Sequence, residues 1–198
     1  MKRPSGKLRI IGGDYRSRVV AFDPDTGVRP TPDRVRQTLF DWLAPLIEGA
    51  RALDLFAGSG ALGLEALSRG AAHVTFVETG RGQCDRIREA LGTLKCAERA
   101  AVEPSDALGV LGRPLTPAHS PRAGRGSYDI AFLDPPFDAN LLAPALAALP
   151  RVLKPGARVY VERHHGGAFA WPAGYTVIRE KQAGQVSYAL ATHSPENA

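Results

Sequence analysis

The residues with the clearest chemical potential close an apolar run, where "YDIAFL" is followed by Asp134, Pro135, Pro136 and Phe137. Two consecutive prolines cannot continue a sheet, so one interpretation is a turn that ends a strand, with Asp134 as its capping residue. The alternative is a site for an exocyclic amine of a nucleobase, which is a poor nucleophile because its lone pair is delocalised into the ring. Asp134 and the carbonyl of Pro135 would accept its two N–H bonds and localise that lone pair, while Phe137 would stack on the base.

A glycine-rich segment, "LDLFAGSGALG", lies between a predicted strand and a predicted helix. Gly58, Gly60 and Gly63 match the pattern G-x-G-x-x-G, which lets a ligand approach the backbone and the helix N-terminus closely. Glu78 ends the next strand, 20 residues after Gly58, where a carboxylate can accept both hydroxyls of a ribose. The pattern fits a nicotinamide dinucleotide or S-adenosylmethionine equally, because both contain an adenosine ribose.

Two further acids lie at the ends of predicted strands. Asp54 would brace the glycine loop, cap a local turn or reach the ammonium group of a ligand through a water molecule. Asp106 would cap a helix, contact an adenine amino group or do both. In an open α/β sheet, ligands bind beyond the carboxyl ends of the strands, so we expect these acids, Glu78 and Asp134 to surround one site.

Alternating strand and helix patterns from residue 51 onward predict an α/β fold with helices on both faces of a mostly parallel sheet. Seven strands are expected, of which the last two form a C-terminal antiparallel hairpin with its turn at Ala183–Gly184. Residues 8–22 predict a small N-terminal β-hairpin, and Thr31 is the expected N-cap of the helix that follows. We therefore divide the chain into a basic extension, residues 1–30, and one domain, residues 31–198.

Charge is distributed unevenly along the 198 residues, because the net charge of +5 comes entirely from residues 1–36. This basic segment is a candidate contact for a nucleic-acid backbone, although a solvated tail explains the charge equally well. The composition, 44% hydrophobic and 23% charged, is ordinary for a soluble domain, and no apolar run approaches the length of a membrane span. Cys84 and Cys96 fit no metal motif, so we expect no metal and two free thiols in the cytoplasm.

The chain resembles the RsmD-type methyltransferases from about residue 8 to residue 190. The resemblance rests on "RIIGG", "RPT", "DRVRQTLFDWL", "LDLFAGSGALGLEALSRGA", "VTFVE", "FLDPPF", "YVE" and "REKQAGQVSYAL". That family methylates the 2-amino group of one guanine in the small-subunit (16S) ribosomal RNA of bacteria. The resemblance implies a class I, Rossmann-like methyltransferase that uses S-adenosylmethionine and acts on ribosomal RNA, free or within an assembled small subunit, as a monomer.

The resemblance also implies roles for particular residues. The cofactor would be bound by Asp54, Phe56, Gly58, Ser59, Gly60, Glu78, Asp106 and Asp134. The target guanine would be held by Asp134, Pro135, Pro136 and Phe137. RNA contacts are expected from Arg16, Arg18, Arg29, Thr31, Arg34 and Arg36, and from the arginines of the segment 112–127.

Three rival functions remain open at this point. The first is another amino-methyltransferase, acting on N6 of adenine in nucleic acid or on a protein glutamine. The second is an RNA-binding module without catalytic activity. The intact "DPPF" motif argues against this function, because a module without catalysis has no need of it. The third is a nicotinamide dehydrogenase, for which no candidate for hydride chemistry lies near the glycine loop.

Overall fold

The structure is a computed structural model that describes residues 6–24, 30–112, 128–136, 140–166 and 169–194. The chain divides into two compact units, residues 1–106 and residues 107–198. The boundary expected at residue 30 from the sequence stays a prediction. The strands belong to a two-stranded sheet and to a mostly parallel seven-stranded sheet, so the predicted α/β fold is confirmed.

The first unit begins with the predicted hairpin, in which β1 (Gly6–Arg9) pairs antiparallel with β2 (Val19–Phe22). Helix α1 (Asp33–Leu43) buries an apolar face against the core. Its N-cap is Pro32 and not Thr31, so the predicted cap was wrong by one residue. The Pro32 carbonyl accepts the N–H groups of Val35 and Arg36, which begins the helical hydrogen bonding one residue later than the sequence suggests.

The rest of this unit is a strand–helix alternation. Strand β3 (Arg51–Asp54) leads into α2 (Ala61–Ser68), and β4 (His73–Glu78) leads into α3 (Arg81–Leu94). Strand β5 (Ala100–Pro104) completes the parallel order β5-β4-β3. Every residue of α2 is buried, and β3 and β4 are buried along almost their whole length, as expected for a parallel sheet covered on both faces.

The second unit begins with α4 (Ala107–Gly112) and contains β6 (Tyr128–Leu133), α5 (Leu142–Ala148) and β7 (Leu153–His164). Strands β6 and β7 are parallel. The C-terminal hairpin, β8 (Tyr175–Ala183) and β9 (Val186–His193), is antiparallel, and β9 pairs with β7. The hairpin turn lies at Gly184 as predicted, with the positive φ of 59° that a two-residue turn requires there.

Candidate functional site

Glu78 fastens the glycine loop at the carboxyl end of β4. One of its carboxylate oxygens, Oε2, accepts the N–H of Gly58 at 2.8 Å, and the other, Oε1, accepts the N–H of Gly80 at 2.7 Å. The Thr79 hydroxyl donates to the same Oε1 at 3.3 Å. A carboxylate offers about four lone-pair sites, two on each oxygen. Gly58 occupies one site on Oε2, and Gly80 and Thr79 occupy both sites on Oε1. If the Thr79 hydroxyl rotates away, each oxygen therefore has one site left for a ligand. Two such positions on one half-buried carboxylate suit the adjacent hydroxyls of a ribose.

The three glycines of the loop serve two different purposes. Gly58 and Gly60 have φ values of 50° and 76°, a left-handed conformation that other residues rarely adopt. Gly63 lies within α2, and a Cβ placed there would stand 2.2 Å from the Phe76 ring on β4. The first two therefore shape the loop, whereas Gly63 allows the helix to pack closely on the sheet, as glycines of this pattern do in nucleotide-binding folds.

Asp54 braces the loop from beneath. The residue is 3% exposed, and its Oδ2 accepts the N–H of Gly63 at 2.9 Å. Burial raises the pKa of Asp54 to about 7, the hydrogen bond from Gly63 opposes the rise, and the Glu78 carboxylate adds to it. A cation near Asp54 would lower its pKa and favour the carboxylate, which suits a ligand that carries positive charge.

These residues fit S-adenosylmethionine, because an open glycine loop and a diol acceptor lie on one unit beside a buried acid. The other residues assigned to the cofactor from the sequence lie in the same unit. Phe56 is half-buried, Ser59 is buried, and Asp106 is exposed. Asp106 directly precedes Ala107, and its neighbour Ser105 donates its N–H to the carbonyl of Glu78 at 3.0 Å. Their contacts with a cofactor stay a prediction.

The Asp134 segment lies at the carboxyl end of β6, in the second unit. Leu133 is paired with Val161 in the parallel register, so the next residue on each strand, Asp134 and Glu162, is level with the other. Asp134 is half-buried, Pro135 is buried, and Pro136 is exposed. Phe137 lies outside the described residues. The strand-ending turn is therefore present, and the carboxylate that ends it is partly open to solvent.

A buried polar pair lies beside this turn. Tyr160 is fully buried, and its hydroxyl donates to Oε1 of Glu162 at 2.9 Å. Burial raises the pKa of Tyr160 well above its ordinary value, and the carboxylates of Glu162 and Asp134 raise it further. Tyr160 therefore remains a neutral hydrogen-bond donor. Its ring contacts Phe132 edge-on at 6.4 Å between centroids, which fixes its position under the end of β6.

The basic N-terminal residues have two different environments. Arg16, Arg18 and Arg34 are exposed, as a contact with RNA requires. Arg29 lies outside the described residues, as do the arginines of 113–127. Thr31 is only 6% exposed. The predicted RNA contacts of the exposed residues stay predictions.

Arg36 contradicts its predicted role as an RNA contact, because it is 1% exposed. Its guanidinium donates to the backbone carbonyls of Thr31 and Arg9, and to Asp33 at 2.6 Å. It also pairs with Glu65 at 3.5 Å. Four of its five N–H donors have partners within the protein, and the side chain is buried, so Arg36 is a structural residue that holds the extension to α1 and α2.

Glu65 is the centre of that attachment, and it is not among the residues predicted from the sequence. Its two oxygens accept the N–H groups of Ile11 and Gly12, each at 2.9 Å, and Arg69 donates to it at 2.8 Å. Ser68, one turn further along α2, donates its hydroxyl to the Gly12 carbonyl. The "IIGG" segment is therefore a docking loop on α2. A signal was present, since Glu65 is the one acid in an otherwise apolar helix and such an acid must find partners.

Two absences concern the described parts of the chain alone. No group of three or more His, Cys, Asp or Glu side chains there is arranged to hold a metal ion. No helix among those residues has the length and apolar character needed to cross a membrane. Cys84 and Cys96 are both buried free thiols.

Comparison with known proteins gives consistent results over nearly the full chain. The family model described as "Conserved hypothetical protein 95" matches residues 8–192. The chain is 45% identical to ribosomal RNA small subunit methyltransferase D of Escherichia coli K12, over 96% of this chain and 94% of the relative. It is 42% identical to the protein of that name from Haemophilus influenzae, over 93% of each. A solved Escherichia coli structure that carries a provisional methyltransferase name matches with a TM-score of 0.83 and 41% identity, over 96% of this chain and 100% of that one.

Proposed function

The chain belongs to the ribosomal RNA small subunit methyltransferase D family, and from that membership we propose its reaction. The protein transfers a methyl group from S-adenosylmethionine to the exocyclic N2 amine of a guanine in small-subunit ribosomal RNA. It acts as a monomer in the cytoplasm, on free RNA or on an assembled small subunit.

The observation that carries this proposal is the turn of Asp134 and Pro135 at the end of β6. A half-buried carboxylate followed by a buried proline supplies two oxygen acceptors at one strand end, the Asp134 side chain and the Pro135 carbonyl. Hydrogen bonds to both protons of an amine make its nitrogen pyramidal and localise its lone pair. The carboxylate also stabilises the positive charge that grows on nitrogen during the transfer.

The cofactor supplies an electrophilic methyl group on a sulfonium. When bound, it would give up this methyl group to the amine nitrogen and leave as a neutral thioether. The methylated nitrogen then loses one proton, which Asp134 accepts. Glu78 holds the ribose hydroxyls, the Gly58–Gly60 loop contacts the methionine and ribose, and Asp106 meets the adenine. The enzyme therefore contributes mainly positioning and electrostatic stabilisation.

A guanine in a folded RNA must leave its stack before Asp134 can reach the amine. The exposed arginines Arg16, Arg18 and Arg34 would hold the RNA through its phosphates, so binding should weaken as salt is raised. The "IIGG" loop, fixed on α2 by Glu65 and Ser68, gives Arg16 and Arg18 a rigid base.

The test is a methyl-transfer assay with labelled S-adenosylmethionine on naked ribosomal RNA, assembled small subunits, DNA and protein, followed by mass mapping of the modified nucleotide. We expect label in small-subunit RNA at N2 of a guanine. Label in adenine or in protein would replace the guanine assignment with another amino-methylation. Failure to bind S-adenosylmethionine in calorimetry would leave an RNA-binding module without catalysis.

A further inference from the structure

A second carboxylate lies beside Asp134 on the same face of the sheet. Glu162 on β7 is level with Asp134 in the parallel register, and level residues of neighbouring strands point to the same face. The pair two residues earlier follows this alternation, because the rings of Phe132 and Tyr160 are 6.4 Å apart between centroids. Neighbouring strands are about 5 Å apart, so the two acids lie side by side. The reaction proposed above uses only the first of them.

The surroundings of Glu162 fix its position. The Tyr160 hydroxyl, on the same face of β7, donates to Oε1 of Glu162 at 2.9 Å. Tyr188 is level with Glu162 on the other neighbouring strand, β9, and its ring lies 6.3 Å from that of Tyr160. The Asp134 carboxylate contributes to the raised pKa of Tyr160, as expected if it lies near the same hydroxyl. Glu162 is therefore oriented before a ligand arrives, and preorganisation of this kind lowers the cost of binding.

The burial of Glu162 makes its carboxylate selective. The residue is 3% exposed, whereas Asp134 is half-buried. One oxygen at the wall of a pocket exposes only a small fraction of its residue, so this burial is compatible with a contact to a base. Little water is present there to compensate a poor contact. The carboxylate therefore distinguishes strongly between a group that donates a hydrogen bond and a group that presents a lone pair.

Guanine and adenine differ in the atom that lies beside the reacting amine. On one side of the 2-amino group of guanine is N1, which carries a hydrogen. Beside the 6-amino group of adenine there is also an N1, but this nitrogen has a lone pair and no hydrogen. Enzymes that modify bases read this edge through hydrogen bonds. A base held at Asp134 by its amine would therefore present either a donor or a lone pair to the neighbouring carboxylate.

We propose that Glu162 is a specificity-determining residue that accepts the N1–H of the target guanine. The hydrogen bond to a charged acceptor stabilises bound guanine, and the same oxygen repels the N1 lone pair of an adenine. This inference rests on the proposed function and deepens it, because it assigns the choice between the two purines to one residue.

The experiment replaces the mapped target guanine with 2-aminopurine, in naked RNA or in assembled subunits, whichever the wild type methylates. 2-Aminopurine keeps the 2-amino group but has a lone pair at N1. The measured quantity is kcat/KM on guanine RNA divided by kcat/KM on 2-aminopurine RNA, for the wild type and for Glu162→Gln. Comparing this ratio between proteins cancels the intrinsic difference in reactivity between the two bases. Glu180→Gln is the matched control, because it changes an exposed glutamate on β8 of the same unit.

We expect the wild type and Glu180→Gln to prefer guanine by about 100-fold. Glu162→Gln should lose about tenfold in kcat/KM on guanine RNA and prefer guanine by less than about fivefold, because an amide can accept from N1–H or donate to a lone pair. Tyr160→Phe, which removes the hydroxyl that orients Glu162, should lower the preference about three- to tenfold. The affinity for S-adenosylmethionine, measured by calorimetry, should be unchanged in all variants.

A merely structural role for Glu162 would slow the reaction with both RNAs equally. An unchanged ratio in Glu162→Gln would therefore overturn the proposal and leave the proposed function standing. Circular dichroism checks folding, and if Glu162→Gln does not fold, an unchanged ratio in Tyr160→Phe overturns the proposal in its place. If the wild type methylates adenine, or no RNA at all, the proposed function itself fails, and the role of Glu162 fails with it.

Discussion

Replacing Asp54 with asparagine should flatten the dependence of stability on pH. Asp54 is 3% exposed, and burial raises its pKa to about 7 from an ordinary value of 3.8. Between these two pH values the folded protein keeps a proton that the unfolded chain has released. The free energy of unfolding therefore falls as pH rises from about 4 to about 7. Asparagine does not ionise, and its carbonyl can still accept the N–H of Gly63.

The size of the effect follows from the shift. The pKa of Asp54 differs by about three units between the folded and the unfolded protein, and each unit corresponds to about 1.4 kcal/mol. At a pH where Asp54 is ionised in both states, the free energy of unfolding is therefore lower by about 4 kcal/mol. About 3 kcal/mol of this should develop between about pH 4.5 and about pH 8. The free energy of unfolding of Asp54→Asn, relative to that of the wild type, should therefore rise by about 3 kcal/mol over that interval.

The assay is urea unfolding of both proteins across this range of pH, without ligand. Asp14→Asn is the control, because it removes an exposed acid from the same unit and leaves the buried one in place. Subtracting the wild-type curve from the variant curve removes the contributions of all other titrating groups. Two parallel curves would refute the reasoning, since they would mean that Asp54 ionises at its ordinary pH inside the folded protein.

Two further predictions concern the glycine loop and the attachment of the N-terminal hairpin. Glu78→Gln should weaken S-adenosylmethionine binding about 10- to 100-fold in calorimetry, because a charged acceptor for the ribose hydroxyls is lost. The control is Glu89→Gln, on the exposed face of α3, which should leave the affinity unchanged. Equal affinities for the two variants would remove Glu78 from the cofactor site. Glu65→Gln should lower the free energy of unfolding by about 3 to 5 kcal/mol, because the buried Arg36 then has no buried carboxylate as its partner. Glu98→Gln, which changes an exposed glutamate in the same way, is the control. A loss below about 1 kcal/mol would show that the pair is dispensable.

Local patterns allowed most of the fold to be predicted from the sequence. The strand–helix alternation, the glycine loop and the turn at Gly184 each depend on residues close together in the chain. The strand-end positions of Glu78 and Asp134 followed directly from the strand boundaries. These features were predictable because periodicity and turn chemistry act over short distances.

The burial of Arg36, which the sequence misassigned to the surface, depends on a contact with Glu65, 29 residues further along the chain. Charge count alone places an arginine on the surface, and its burial here requires Glu65 on α2 and two backbone carbonyls as partners. The same reasoning explains why "IIGG" was not recognised as a docking loop. A Cβ at Gly13 would stand 1.8 Å from the Ser68 carbonyl oxygen, a constraint that only the folded chain reveals.

The most direct test of the proposed reaction is the single-turnover rate of methyl transfer to ribosomal RNA by Asp134→Ala. Asp129→Ala is the control, because Asp129 lies on the same strand and pairs with Lys154 at 2.7 Å. We expect Asp134→Ala to lose at least about 100-fold in rate while S-adenosylmethionine affinity stays near that of the wild type, and Asp129→Ala to react normally. Transfer by Asp134→Ala within a few-fold of the wild type would contradict the assignment of Asp134 as the acceptor that activates the amine.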